Sequence, residues 1–248
     1  MGAETVRQPP TFYALPGGGW RDYVTLLHLP YTAWHLSYVA LGACVSSEFH
    51  PDRLLQALVA FALGLGVAAH ALDEYRGRPL RTAIPDRVLL ALAAGSLAAA
   101  AAVAVHAALA TTPWVLALAA LGVFLVLAYN LEWWGGRFHT DRWFAVAWGA
   151  FPAFVGQWSQ SLRVEPSGLA VVAAAYFVSR AQRHLSRRAR DLRRRVASVS
   201  GELRYAGGRT EPLTVEGLRE PLEAALRALS WALPFLALAS VLARLGQM

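Results

Sequence analysis

The chain has 248 residues, 56% of them hydrophobic, with 23 basic and 16 acidic side chains, a net charge of +7 and a mean hydropathy of +0.37. It is about the size of one domain, and that balance is too apolar for an ordinary soluble one. The composition describes an all-α, polytopic transmembrane bundle whose partners are lipids and the membrane, not nucleic acid; no protein partner can be named. All basic residues are arginines, as a GC-rich genome favours, so their number carries less weight than their placement. Cys44 stands alone in an apolar run and reads as a small packing residue.

Residues 1–22 hold charges, Pro9-Pro10 and Pro16-Gly17-Gly18-Gly19, without the apolar core of a cleavable signal. They read as a cytoplasmic N-terminal segment, and 23–248 as one transmembrane domain with a basic cytoplasmic loop at about 182–218. A membrane crossing needs about 20 apolar residues. Seven windows approach this length: 23–46, 54–72, 88–110, 113–131, 143–161, 167–181 and 222–245. Pro152 and Pro234 kink such helices without excluding them.

Arginine alternates between the connections. Arg76, Arg78, Arg81 and Arg87 lie in 73–87, Arg137 and Arg142 in 132–142, and the densest run in 180–219. The positive-inside rule places these three connections and the N-terminus in the cytoplasm, in the cytoplasmic membrane of a bacterial cell. Trp114, Trp133, Trp134, Trp143 and Trp158 sit near predicted helix ends, as an aromatic belt requires.

In the first window His35 follows His28 by one heptad, with Trp34 and Tyr38 beside it, and an ionisable group at membrane depth is a candidate site residue. His106, in an alanine-rich span, reads as structural. The second window ends in His70, Asp73 and Glu74, which share a helix face and are candidate ligands of Mg²⁺ or of a transition metal. The alternative is a helix end whose acids pair with Arg76, Arg78 or Arg81.

The segment from Tyr129 to Arg142 contains Gly135-Gly136, which permits a tight reversal. It offers Tyr129, Asn130, Glu132, His139 and Asp141 as ligands or proton donors and Arg137 as a phosphate contact. After the sixth window, Arg180, His184, Arg187, Arg188 and Asp191 form one helical stripe. Arginine forks bind phosphate bidentately, so the stripe can grip a diphosphate; the plainer reading is an anchor to acidic lipid. The polar, interrupted stretch 196–221 reads as a cytoplasmic loop with a short interfacial helix.

Over roughly 20–180 these features resemble the UbiA superfamily of membrane prenyltransferases. The resemblance is carried by His28-Leu29-Pro30-Tyr31-Thr32 through Leu41-Gly42-Ala43, by Arg78-Pro79-Leu80, by Ala128-Tyr129-Asn130, and by Trp148-Gly149-Ala150-Phe151-Pro152-Ala153-Phe154-Val155-Gly156. It implies a helical bundle that joins an isoprenoid diphosphate to an acceptor, with magnesium held by two Asp-rich motifs. The chain departs from that pattern. Where the family has Asn-Asp-x-x-Asp-x-x-x-Asp, it reads His70-Ala71-Leu72-Asp73-Glu74-Tyr75-Arg76-Gly77-Arg78, and the second acidic motif gives way to arginines with only Asp191. The chain is also shorter by two spans.

Three functions are open at this level. The first is a prenyltransferase-like or cyclising enzyme in which Asp73, Glu74 and Tyr129 act in catalysis, His70, Asp73 and Glu74 hold metal, and Arg78, Arg137, Arg180 and Arg187 hold diphosphate. The second is a metal-dependent oxidoreductase using His70, Asp73, Glu74, Glu132, His139 and His184. The third is a non-catalytic bundle that binds a lipid or a partner through its arginines.

Overall fold

The computed structural model describes residues 10–248; the first nine residues of the N-terminal segment lie outside the described residues. The chain is mostly helical. Among the described residues three helices, Pro51–Gly77, Asp86–Ala110 and Val215–Leu245, are long and apolar enough to cross a membrane.

The first window is broken. A short helix α1 (Trp20–Leu26) stops at His28, whose backbone is left-handed (φ 46°), and α2 (Leu29–Cys44) starts afresh with Pro30 in its first turn. Pro30 has no amide to offer the preceding turn. The Thr32 hydroxyl instead donates to the Leu27 carbonyl at 2.6 Å.

Helix α3 (Pro51–Gly77) widens to a π-helix over Ala62–Ala69. It is followed by α4 (Asp86–Ala110) and α5 (Trp114–Asn130). The chain then reverses through the turn Trp133–Gly136, where Glu132, Trp134, Gly135 and Gly136 all take positive φ, as the Gly-Gly pair anticipates. Asp141–Ala145, the π-helical Val146–Ala150 and Phe151–Ser161 run on as α6. Pro152 cannot donate to the carbonyl four residues back, and the ladder widens just before it.

Helix α7 (Pro166–Arg194) runs well past the apolar window, so the arginine-rich first third of the expected 182–218 loop is helical. The repeat Ser179, Gln182, Ser186, Ala189, Leu192 supplies a small or moderately polar inward stripe that extends the packing face through the arginines. Instead of an interfacial helix, a small antiparallel hairpin follows, β1 (Glu202–Arg204) paired with β2 (Thr210–Pro212), and then α8 (Val215–Leu245). The described residues are therefore helical with one hairpin appended.

Helix α2 packs between α6 and α8, α7 lies against α6 and α8, and α3 against α4 and α5. Glycines set the closest approach: a Cβ at Gly42 would lie 2.1 Å from the Ala153 carbonyl oxygen, and one at Gly156 2.1 Å from that of Val39. Backbones can meet this way only where side chains are absent, as is common between membrane helices.

At the end of the bundle remote from the basic connections, Glu165 accepts from the Ser47 hydroxyl at 2.6 Å and the Ser47 amide at 2.9 Å, and Arg244 donates to the Ser46 carbonyl at 3.0 Å. The Ser47 hydroxyl, assisted by other hydrogen bonds, holds the Glu165 carboxyl below its ordinary value. A depressed acid stabilises the fold above its unfolded value and loses that contribution as pH falls through the folded one. Amide protection at 45–50 and 162–167, exchange rates being divided by their intrinsic base-catalysed values, is therefore expected to fall when the pH drops below the usual glutamate range. Glu165→Gln should show the lower protection already at neutral pH and no further step on acidification.

The elbow after α3 is tied by its own polar groups. Glu74 is fully buried and accepts from the amides of Leu80 and Thr82, both at 2.8 Å, and from the Thr82 hydroxyl at 2.9 Å. Arg78, left-handed at φ 50°, turns its guanidinium onto the carbonyls of Thr82 and Ile84 and onto Asp86. Buried Asp22 accepts from the amides of Ala83 and Gly18, fastening α1 to the same elbow. Leu80 and Ile84 plug it into the core.

Candidate functional site

A polar cavity of about 270 Å³ lies among α2, α3, α5, α6, α7 and α8 at the basic end of the bundle, partly covered by residues 10–13. One wall belongs to α7. Arg183, Arg190, Arg193 and Arg194 line it, and three of them have partners. Arg183 donates to Asp141 at 2.9 Å and lies over the Phe144 ring, and Arg194 donates to the Pro10 carbonyl at 2.9 Å. Arg193 donates to Glu223 at 3.0 Å, in a buried cluster with Arg219.

Arg190 makes no hydrogen bond or ion pair among the described residues, and neither does Asp73 across the cavity. Arg183, Arg190 and Arg194 also line an open vestibule of about 620 Å³ that contains Arg187, Asp191 and His139, so the cavity communicates with the basic rim.

The other walls carry imidazoles. His70 stacks on His28 with centroids 4.1 Å apart, and its Nδ1 donates to the Gly66 carbonyl at 3.0 Å. The His28 Nδ1 meets the Tyr13 hydroxyl at 2.8 Å. His139 donates from Nδ1 to the Tyr129 carbonyl at 3.0 Å, and its ring lies 4.5 Å from that of Tyr129. His35 and Tyr129 are 4% and 5% exposed, and the His35 Nδ1 and the Tyr129 hydroxyl are buried without a partner.

A second chamber of about 140 Å³ is lined mainly by Ala, Val, Leu and Phe of α3, α4, α5 and α6. Leu65 and Trp148 line both chambers and form the partition between them. Each lies on a π-helical segment, where the altered ladder redirects side chains relative to a regular helix.

Of the residues singled out from sequence, the cavity gathers His35, His70, Asp73, Tyr129, Asn130 and His139. Asn130 is fastened by its own amide to the Val126 carbonyl at 2.8 Å. The others fall elsewhere. Glu74 points into the elbow, where its oxygens accept from two backbone amides and the Thr82 hydroxyl, and it does not line the cavity. Arg78 is committed to that same elbow.

Arg137 is exposed in the reversal, and Glu132 lies at the surface 3.8 Å from Arg76. Arg180 reaches the Tyr176 hydroxyl at 3.3 Å and His184 is exposed, because both lie on the outer face of α7. Arg187 and Asp191 stay at the rim, paired with Asp141 and Arg195. The arginine stripe is thus rotated from the expected one: the inward set is Arg183, Arg190, Arg193 and Arg194. The inward repeat of Ser179, Gln182, Ser186 and Ala189 was the available signal for it. Nothing in the local sequence marks Tyr13, Tyr31 or Glu223 as cavity residues.

The resemblance to magnesium-dependent prenyltransferases can be tested on the donor set. Among the described residues no three His, Cys, Asp or Glu side chains converge to hold a metal ion. Asp73 is the one family-like carboxylate that faces the cavity, and arginines occupy the opposing wall. The residues do not fit a pair of bridging magnesium ions. The larger ligand set of the oxidoreductase reading is split as well, since Glu74, Glu132 and His184 face away. The chain matches no protein-family model, no curated protein and no solved structure.

Proposed function

We propose that the chain is an integral membrane protein of seven spans, UbiA-like in plan, that binds an isoprenoid diphosphate or a related lipid and acts on it as a prenyltransferase-like enzyme. The observation that carries this reading is the partition at Leu65 and Trp148: a cation-walled chamber on one side, a hydrocarbon-lined one on the other. An anionic head with an apolar tail matches both at once. Arg183, Arg190 and Arg194 hold the diphosphate, and the tail passes Trp148 into the apolar chamber.

Arginine forks replace the family's metal bridges as the counter-charge, and fixed positive charge aimed at a leaving diphosphate lowers the barrier to ionisation. Six of the seven windows overlap one helix each and the first is split at His28, and the basic connections gather at the cavity end, which supports a cytoplasmic mouth and a cytoplasmic N-terminus.

The test is binding to the full chain in nanodiscs, with chelator present. Inorganic diphosphate should bind, and geranyl diphosphate more tightly, because only the latter fills the apolar chamber. Arg190→Gln should weaken both by about 10- to 100-fold, the value of a charge-assisted pair. Equal affinity of wild type and variant, or no advantage for geranyl over inorganic diphosphate, would sink the reading.

A further inference from the structure

The histidine wall has a chemistry of its own. A backbone carbonyl can only accept, so the contacts to Gly66 and Tyr129 place a proton on Nδ1 of both His70 and His139. In each neutral ring the lone pair is then on Nε2. His35 adds a buried Nδ1 that no protein group meets, and Tyr129 a buried hydroxyl in the same condition.

These groups share one surface. The Phe144 ring lies 5.8 Å from His35 and 6.1 Å from Tyr129, and Tyr129 lies against His139, so α2, α5 and α6 present them side by side while His70 faces them from α3. Buried polar atoms are rarely left unmatched, and each costs about 1–3 kcal/mol when it is. Two ring nitrogens able to accept, beside an imidazole nitrogen and a hydroxyl with no partner, suit a ligand that carries hydroxyl groups.

We propose that this wall is a subsite for a neutral, hydroxyl-bearing ligand, distinct from the arginine wall that takes the anion. His70 and His139 accept its O–H groups, and His35 and Tyr129, each with a buried polar atom that has no partner, complete the set. The assignment rests on the function proposed above only in placing this ligand beside a diphosphate; the lone pairs themselves do not depend on it. In that setting the subsite seats the second substrate, with its oxygen held by a base.

The experiment uses the full chain in nanodiscs with ¹⁵N-labelled histidine, and cyclohexane-1,4-diol as probe beside its dimethyl ether. His70 and His139 should show the proton on Nδ1. The diol should shift the unprotonated nitrogens of His70 and His139 and the Nδ1 of His35, the diether should not, and Tyr129→Phe, which removes only a hydroxyl, should weaken the diol effect about three- to tenfold. A proton on Nε2 of His70 or His139, equal shifts from diol and diether, or no shift from either would overturn the subsite.

Inorganic diphosphate separates the two readings. Its binding, lost in Arg190→Gln while the diol has no effect, removes the subsite and leaves the proposed function. A diol response without diphosphate binding supports the subsite and removes the proposed function.

Discussion

Glu74→Ala is expected to destabilise the protein severely, whereas Asp73→Ala, one residue earlier, should leave stability nearly unchanged and alter ligand binding. Their sequence positions are equivalent for a metal motif, but their environments differ. The Glu74 carboxylate satisfies two buried amides and the buried Thr82 hydroxyl. Truncation leaves those donors unmatched beneath Leu80, at a cost of about 3–5 kcal/mol by the value of charge-assisted bonds and of stranded buried groups. Glu74→Gln should fall between, because one oxygen remains while its amide nitrogen faces a donor.

Asp73 has no such partner. Removing its charge should instead tighten inorganic diphosphate, since one negative group leaves a cavity walled by arginine. Melting temperature in detergent, proteolysis of the elbow and diphosphate titration read these effects separately. If Glu74→Ala melts like wild type and Asp73→Ala does not, the clamp assignment is wrong.

The second large effect is expected at the crossing of α2 and α6. In Gly156→Ala the new methyl carbon would sit 2.1 Å from the Val39 carbonyl oxygen, 2.8 Å from its carbon and 3.0 Å from its Cα. These are backbone atoms, so no side-chain rotation relieves the clash and the helices must separate. Overpacking in a well-packed core costs about 1–3 kcal/mol, and a backbone clash belongs at or above the upper end.

Separation also moves function, because α2 carries His35 while α6 carries Phe144 and Trp148. Tyr38, which bridges the Trp34 indole at 2.6 Å and the Ser179 hydroxyl at 3.2 Å, would lose its fit to α7. Gly95→Ala in α4 is the control, since nothing lies within 4 Å of its added carbon. It should be neutral or slightly stabilising, as removal of a mid-helix glycine is. A comparable loss of melting temperature in both variants would show that helix propensity, not contact, set the result.

The helices were legible because hydrocarbon-length apolar runs are a one-dimensional property, and so was the reversal, since Gly135-Gly136 tolerates positive φ. The break at His28 was less so. Its left-handed backbone depends on Thr32 taking up the freed Leu27 carbonyl, a contact across the break. The continuation of α7 through the basic segment also escaped an apolar window, because Arg183, Arg190 and Arg193 are held inward by Asp141, Glu223 and the cavity, not by hydrophobicity.

Within the site, periodicity showed that the arginines of α7 fall on faces but not which face turns inward. Helical spacing is unchanged by rotating the whole helix, and only packing of Ser179, Gln182 and Ala189 against neighbours sets that rotation. The same holds at 73 and 74. Adjacent residues on a helix point about 100° apart, so one carboxylate reached the cavity and the other the elbow.

By itself the sequence determined an apolar helical chain, basic at alternate connections, with acids and imidazoles near the ends of its apolar runs. Tertiary structure decided which of those groups share a space: His35, His70, Asp73, Tyr129 and His139 opposite Arg183, Arg190 and Arg194. The physical reason is that composition and periodicity are local, whereas a cavity is the gap left when several helices settle at fixed rotations. Those rotations are set by contacts such as Gly42 and Gly156 against opposing backbone, between residues more than a hundred positions apart.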